Sequence, residues 1–235
     1  MLYKLRSYFS TAELLLWGAS ESVIILSFFL FGGESPLSLV ASVIGASSLI
    51  LAAKGNPLAQ VLMIAFCAMY GVISYSCQYY GEMITYLGMT GPMAVLSLIS
   101  WLRNPFGEGH AEVRVNRISP REAAFMLLLS AAVTAAFFFI LRALGTASIL
   151  MSTLSVTTSF IAVYLTFRRS PLFAAAYAAN DMVLIVLWSV ASFHDRKYFS
   201  VLVCFIAFLV NDIYGFVSWN KMQKRQEAQL SGSFS

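Results

Sequence analysis

The chain has 235 residues, of which 59% are apolar and 11% charged, with a formal net charge of +4. An ordinary soluble domain carries about a quarter of its residues as charges, so a water-soluble globule is excluded. The basic residues stand singly or in twos and threes beside apolar runs, where lipid headgroups account for them and nucleic acid does not.

Apolar runs of about twenty residues, each able to cross a hydrocarbon core of about 30 Å as a helix, fall near 12–32, 37–53, 57–79, 83–103, 121–144, 148–168, 172–193 and 198–220. The pattern predicts an all-α membrane protein of eight spans. The first span follows a basic stretch, as a secretory signal does, but its length and Glu34 in the following loop predict a retained helix. Four spans open on Ser35-Pro36, Asn56-Pro57, Ser119-Pro120 and Ser170-Pro171. In each, a side-chain acceptor can cap orphan amides while proline takes the first helical position.

Eight spans leave only about sixty residues for loops and ends, too few for a separate catalytic domain. Cys67, Cys77 and Cys204 sit in apolar runs and read as buried small hydrophobes, so neither a disulfide framework nor a metal site is expected. The histidines, His110 and His194, fall in loops. His194-Asp195 has no neighbouring nucleophile, and GxSxG, HExxH and P-loop motifs are absent from the sequence. An enzyme and a bound cofactor are therefore not expected.

With eight spans both termini lie on one side. That side receives twelve of the fifteen Lys and Arg, the other only Arg142, Arg196 and Lys197, which predicts cytoplasmic termini. Self-comparison then divides the bundle. Pro57 pairs with Pro171 at an offset of 114 and Trp101 with Trp219 at 118. Spans 2–4 and 6–8 become two parallel triple-helix repeats joined by span 5, a 3+1+3 arrangement with one extra N-terminal helix. The expected division is 1–35 for that helix, 36–104 for the first repeat, 105–145 for a cytoplasmic loop and linker helix, 146–222 for the second repeat, and 223–235 for a disordered tail.

Intramembrane polar residues carry the functional argument, because a carboxylate near mid-span costs about 2.5–3.5 kcal/mol. Span 7 holds Asn180-Asp181 and then Trp188; span 8 holds Asn211-Asp212 and then Trp219. Residues seven apart share a helix face, so each acid and tryptophan can line one stripe, with Tyr177 joining the first. An acid, an amide and an indole converging in a dry cavity suit a small, flat, cationic ring. The competing reading makes the Asn and Asp side chains interhelical glue. Trp219, near its span end, reads as an interfacial belt residue. Pro92, after Gly88-Met89-Thr90-Gly91, should kink span 4 at the depth of Asn211. The Ser and Thr of span 6 read as close-packing residues, and Glu21 in span 1 has no evident partner.

The runs Tyr79-Tyr80-Gly81-Glu82-Met83, Pro92-Met93, Ile99-Ser100-Trp101-Leu102-Arg103-Asn104-Pro105, Glu112-Val113-Arg114-Val115-Asn116, Ala179-Asn180-Asp181 and Asn211-Asp212-Ile213-Tyr214-Gly215-Phe216 resemble the PnuC family of bacterial vitamin transporters over about residues 40 to 220. The resemblance implies a SWEET-like fold, uptake of nicotinamide riboside by facilitated diffusion across the bacterial inner membrane, and trapping by a cytoplasmic nucleoside kinase. Tyr80 to Met83 match the family's YGEM stretch and Pro92 its helix-4 proline, whereas Tyr86 stands where many relatives carry Asn. Related members are associated with thiamine or riboflavin, so those substrates and a proton-coupled transporter are the alternatives. The expected substrate site comprises Asn180, Asp181, Trp188, Asn211, Tyr177, Asp212, Tyr80 and Thr90, with Gly91 and Pro92 as the hinge. Expected partners are the substrate, the lipid bilayer and further copies of the chain in a homo-oligomer, a trimer.

Overall fold

A computed structural model of the chain describes residues 8–31, 35–76, 80–107, 111–146 and 148–232. The helices are α1 (Thr11–Phe31), α2 (Pro36–Ala53), α3 (Leu58–Ser76), α4, α5 (Pro120–Ala143), α6 (Ile149–Phe167), α7 (Leu172–His194) and α8 (Phe199–Gly232). The fourth, α4, joins Tyr80–Thr85 and Gly91–Leu102 through a π turn at Tyr86–Thr90. Eight helices are long and apolar enough to cross a membrane, as the hydropathy pattern predicts. Among the described residues the only β pairing is the isolated bridge between Pro105 and Val113.

Two of the four proline-headed starts, at Pro36 and Pro120, work as expected, whereas α3 and α7 begin one residue past Pro57 and Pro171, and α7 has no side-chain cap. Ser35 accepts from the Ser38 amide in a capping box, Ser119 Oγ accepts from the Glu122 amide at 3.2 Å, and Asn56 Oδ1 accepts from the Leu58 amide at 2.9 Å. The break in α4 also has a local cause. Pro92 has no N–H, and its ring would collide with the carbonyl four residues back in a regular helix. One extra residue in the turn relieves the collision, and the Gly91 amide reaches back to the Tyr86 carbonyl instead. A Cβ on Gly91 would lie 3.0 Å from that carbonyl oxygen, so glycine suits the position.

The end of the bundle that carries both termini is closed by a reciprocal exchange of hydrogen bonds. Helix C-termini leave carbonyls without partners. At the end of α6, Trp101 Nε1 donates to the Thr166 carbonyl and Ser100 Oγ to that of Phe167, both at 2.9 Å. At the end of α2, Trp219 Nε1 donates to the Ala52 carbonyl at 2.7 Å and Ser218 Oγ to that of Ala53 at 2.8 Å. Donors and acceptors keep the offsets of 118 and 114 found by self-comparison. The two indoles pack together with centroids 5.4 Å apart and are sealed from solvent. Trp219 is thus a core residue that finishes another helix, and the interfacial-belt reading is corrected.

The turns that follow repeat as well. Gly55 and Arg169 both adopt positive φ, at 63° and 57°, and the amides of Asn56 and Ser170 bond back to the Leu51 and Leu165 carbonyls. A left-handed arginine is strained. Here its guanidinium is tied down by the Arg114 carbonyl at 3.1 Å and Ser100 Oγ at 2.6 Å. The connecting loop crosses both turns, its Val113 amide donating to the Gly55 carbonyl and its Asn116 amide to that of Arg169. The sequence reading ends the last span near 220 and expects disorder from 223. Instead α8 continues to Gly232, because its polar extension has a surface to hold. Gln226 accepts from the Val115 amide at 2.8 Å and donates to the Val113 carbonyl at 3.0 Å, while Arg225 pairs with Glu112.

A polar seam fastens α1 to α2 and α8. Glu13 caps its own helix through the Ser10 amide and pairs with Lys54 at 3.2 Å, and Tyr214 donates to it at 3.1 Å. Glu21, unpaired in the sequence reading, accepts from Ser47 at 2.9 Å and Trp17 at 3.1 Å.

Candidate functional site

A cavity of about 630 Å³ lies among α2 to α8, within the usual range for a small-molecule site. It runs from Thr90, Tyr177 and Asp212 inside the bundle to Leu144, Gly145 and His194 at the end opposite the tryptophans. Its walls differ in chemistry. One is aromatic, built by Phe66 and Tyr70 of α3 and Tyr86 of the π turn. Tyr86 lies 4.5 Å from Tyr70 between ring centroids and 5.8 Å from Phe66. The facing wall is polar, formed by Ser152, Ser155 and Ser159 of α6 with Tyr177, Asn180, Asp181 and Trp188 of α7.

The polar wall is held by its neighbours. Asn180 Oδ1 accepts from Ser155 Oγ at 3.2 Å, Thr158 Oγ1 at 2.8 Å and Ser159 Oγ at 3.0 Å. With the oxygen saturated, the Asn180 amide nitrogen has no protein partner among the described residues. The Asp181 and Asp212 side chains meet across α7 and α8. Asp181 Oδ2 is buried with no hydrogen-bond partner. The Trp188 ring packs on Tyr198 at a centroid distance of 5.4 Å. The cavity lining contains three carboxyl groups, from Glu82, Asp181 and Asp212, and no Lys or Arg among the described residues. Carboxyls such as those of Asp181 and Asp212, walled in by the bundle and lining a cavity, favour a cationic guest.

Six of the eight expected site residues converge on this cavity: Asn180, Asp181, Trp188, Tyr177, Asp212 and Thr90. Asn211 does not. Its Nδ2 donates to Ser20 Oγ of α1 and to the Ala207 carbonyl, both at 2.8 Å, so this amide fastens the first helix. The break beside Pro92 therefore does not share a cavity with the Asn211 amide. The Tyr80 side chain lies outside the described residues, as do Cys77 and His110; Gly81 and Glu82 beside Tyr80 reach the lining. Gly91 and Pro92 fall where the π turn gives way to regular helix. Sequence reasoning missed Phe66, Tyr70 and Tyr86, which hydropathy cannot tell from core, and the α6 hydroxyls, taken as packing residues. The i, i+3, i+4 spacing of Ser155, Thr158 and Ser159 was the available signal.

Comparison with known proteins agrees with this architecture. A family model described as nicotinamide mononucleotide transporter matches residues 35–221. A nicotinamide riboside transporter PnuC of Neisseria mucosa is 26% identical over 224 residues, covering 91% of this chain and 85% of that protein. One from Haemophilus influenzae is 21% identical over 193 residues, 82% of each. The crystal structure of the vitamin B3 transporter PnuC superposes with a TM-score of 0.80 at 23% identity, covering 93% of this chain and 94% of that chain. At that identity the likeness establishes the shared fold.

Proposed function

The chain belongs to the nicotinamide mononucleotide transporter family, and from that premise we propose that this multi-pass membrane protein carries nicotinamide riboside, by uniport, through the cavity described above. The observation that carries the choice of nucleoside is the charge of the lining. Asp181 and Asp212, meeting in a lining that shows no Lys or Arg among its described residues, suit a pyridinium nucleoside, whose ring is cationic. The 5′-phosphate of a mononucleotide would meet those acids with no Lys or Arg among the described lining residues to offset its charge.

In this reading Trp188 stacks on the ring, Asn180 bonds its carboxamide or the ribose, and the Asp181–Asp212 pair offsets the positive charge. The triple-helix units 36–104 and 146–222 rock about the cavity, with the π turn and Gly91-Pro92 as the hinge. Cytoplasmic termini in a bacterial inner membrane place the tryptophan-closed end inside and the His194 end outside. A cytoplasmic kinase that phosphorylates the nucleoside would then keep it in the cell. Thiamine is the second reading, favoured by the same acids because it too is a cation.

Calorimetric titration of the purified protein in detergent tests the proposal with nicotinamide riboside, its mononucleotide, thiamine and riboflavin in turn. The riboside should bind at least about tenfold more tightly than the others. Tighter binding of thiamine would move the substrate, and silence towards the riboside would overturn the reading.

A further inference from the structure

Asn180 has two faces that ask for opposite things, since its oxygen accepts and its nitrogen donates. The α6 hydroxyls decide which face the cavity sees. Thr158 Oγ1 is within reach of three acceptors, Asn180 Oδ1 at 2.8 Å and the carbonyls of Leu154 and Ser155 at 3.0 and 3.1 Å. Ser155 and Ser159 are more restrictive. Among the described residues, each hydroxyl has Asn180 Oδ1 as its one acceptor, at 3.2 and 3.0 Å. Turning the amide over would face its N–H groups to those hydroxyls and leave both serine protons without their acceptor. The nitrogen of Asn180 is therefore kept towards the cavity, where it requires an acceptor from the guest.

The next residue makes the complementary demand. Asp181 is buried to 4% exposure, lines the same cavity beside Asp212, and as a carboxylate presents acceptors only. It calls for a donor. A neutral primary carboxamide presents an acceptor and a donor on one carbon, whereas a carboxylate presents acceptors and a negative charge beside Asp181 and Asp212. We propose that Ser155, Thr158 and Ser159 are positioning residues that lock the Asn180 amide nitrogen towards the cavity, so that the site selects a ring bearing a carboxamide over the same ring bearing a carboxylate. This rests on the reading that the cavity binds a pyridinium nucleoside.

The test compares nicotinamide riboside with nicotinic acid riboside, titrated calorimetrically into the purified full-length protein, its S155A/S159A double variant and Thr158→Ser. The unaltered protein should prefer the amide by about tenfold or more, because a buried donor and acceptor would both be left unmatched by the acid. The double variant should lose most of that preference while its unfolding midpoint stays within a few degrees, and Thr158→Ser, which keeps the hydroxyl, should retain it. Equal weakening of both ligands in the double variant would make the hydroxyls merely structural and overturn the inference. Equal affinity of the unaltered protein for both ligands would overturn it while leaving the transport reading intact. Binding of neither ligand would remove the transport reading and the inference together.

Discussion

The end of the bundle closed by Trp101 and Trp219 repeats its serine and tryptophan hydrogen bonds at fixed offsets, whereas the cavity pairs unlike residues at those offsets. Tyr177, Asn180 and Asp181 of α7 stand where α3 has Met63, Phe66 and Cys67, and Ser155, Thr158 and Ser159 stand where α2 has Ala41, Ile44 and Gly45. Equivalent groups face each other across the closed end because each helix terminus has the same need, two carbonyls without partners. In the proposed site the need would come from the guest, an amphipathic ring with distinct edges to be matched by one aromatic wall and one polar wall. Duplication is thus preserved where the halves hold each other and lost where they line the cavity.

The largest effects should come from breaking the closed end. Trp101→Ala removes a fully buried indole and its bond to the Thr166 carbonyl, and a loss of about 3–5 kcal/mol is expected for such a truncation. Trp219→Ala should cost a similar amount, read as the unfolding midpoint in detergent; a large drop in one variant beside a small one in the other would show that the two ends are not equivalent. Next comes the cavity. Trp188→Ala should weaken nicotinamide riboside binding by about tenfold or more, with a smaller shift of the midpoint than Trp101→Ala, and unchanged affinity would take Trp188 out of the site.

Pro92→Ala restores an N–H at the π turn, so it should slow uptake into proteoliposomes several-fold while leaving affinity within about a factor of two. Parallel changes in rate and affinity would dispose of the hinge. The smallest effect is expected for Ser218→Ala, about 1 kcal/mol, with Ser100→Ala costing more because Ser100 Oγ also accepts from Arg169; equal losses would show that the arginine contact adds nothing to the shared pattern.

Most of the fold was legible because a bilayer leaves few choices. Run length gives the spans, and Ser-Pro and Asn-Pro pairs give their starts to within a residue or two. Depth and face of the polar residues were legible too, which is why Asn180, Asp181, Tyr177 and Trp188 gather as expected. What a single chain does not reveal is which neighbour a face meets. Asn211 sits at a depth suited to a site, but its face meets Ser20 of α1. Trp219 sits at a level suited to a belt, but its face meets Trp101. The polar run after Lys221 resembles a solvated tail until the loop at 112–115 is laid along it.

The exchange at Ser100-Trp101 and Ser218-Trp219 has a consequence for how such a chain can be built. Each side supplies the same pair of donors and receives them on the same pair of carbonyls, which is the contact pattern of an isologous dimer written into one polypeptide. A ribosome delivers Ala52 and Ala53 long before Trp219, so the first three-helix unit waits with an unfinished helix end until the last helix is made. Two such units made as separate chains would carry, on each, the donors that the other lacks, and a gene cut within the α5 connection should still yield two halves that find each other in the membrane.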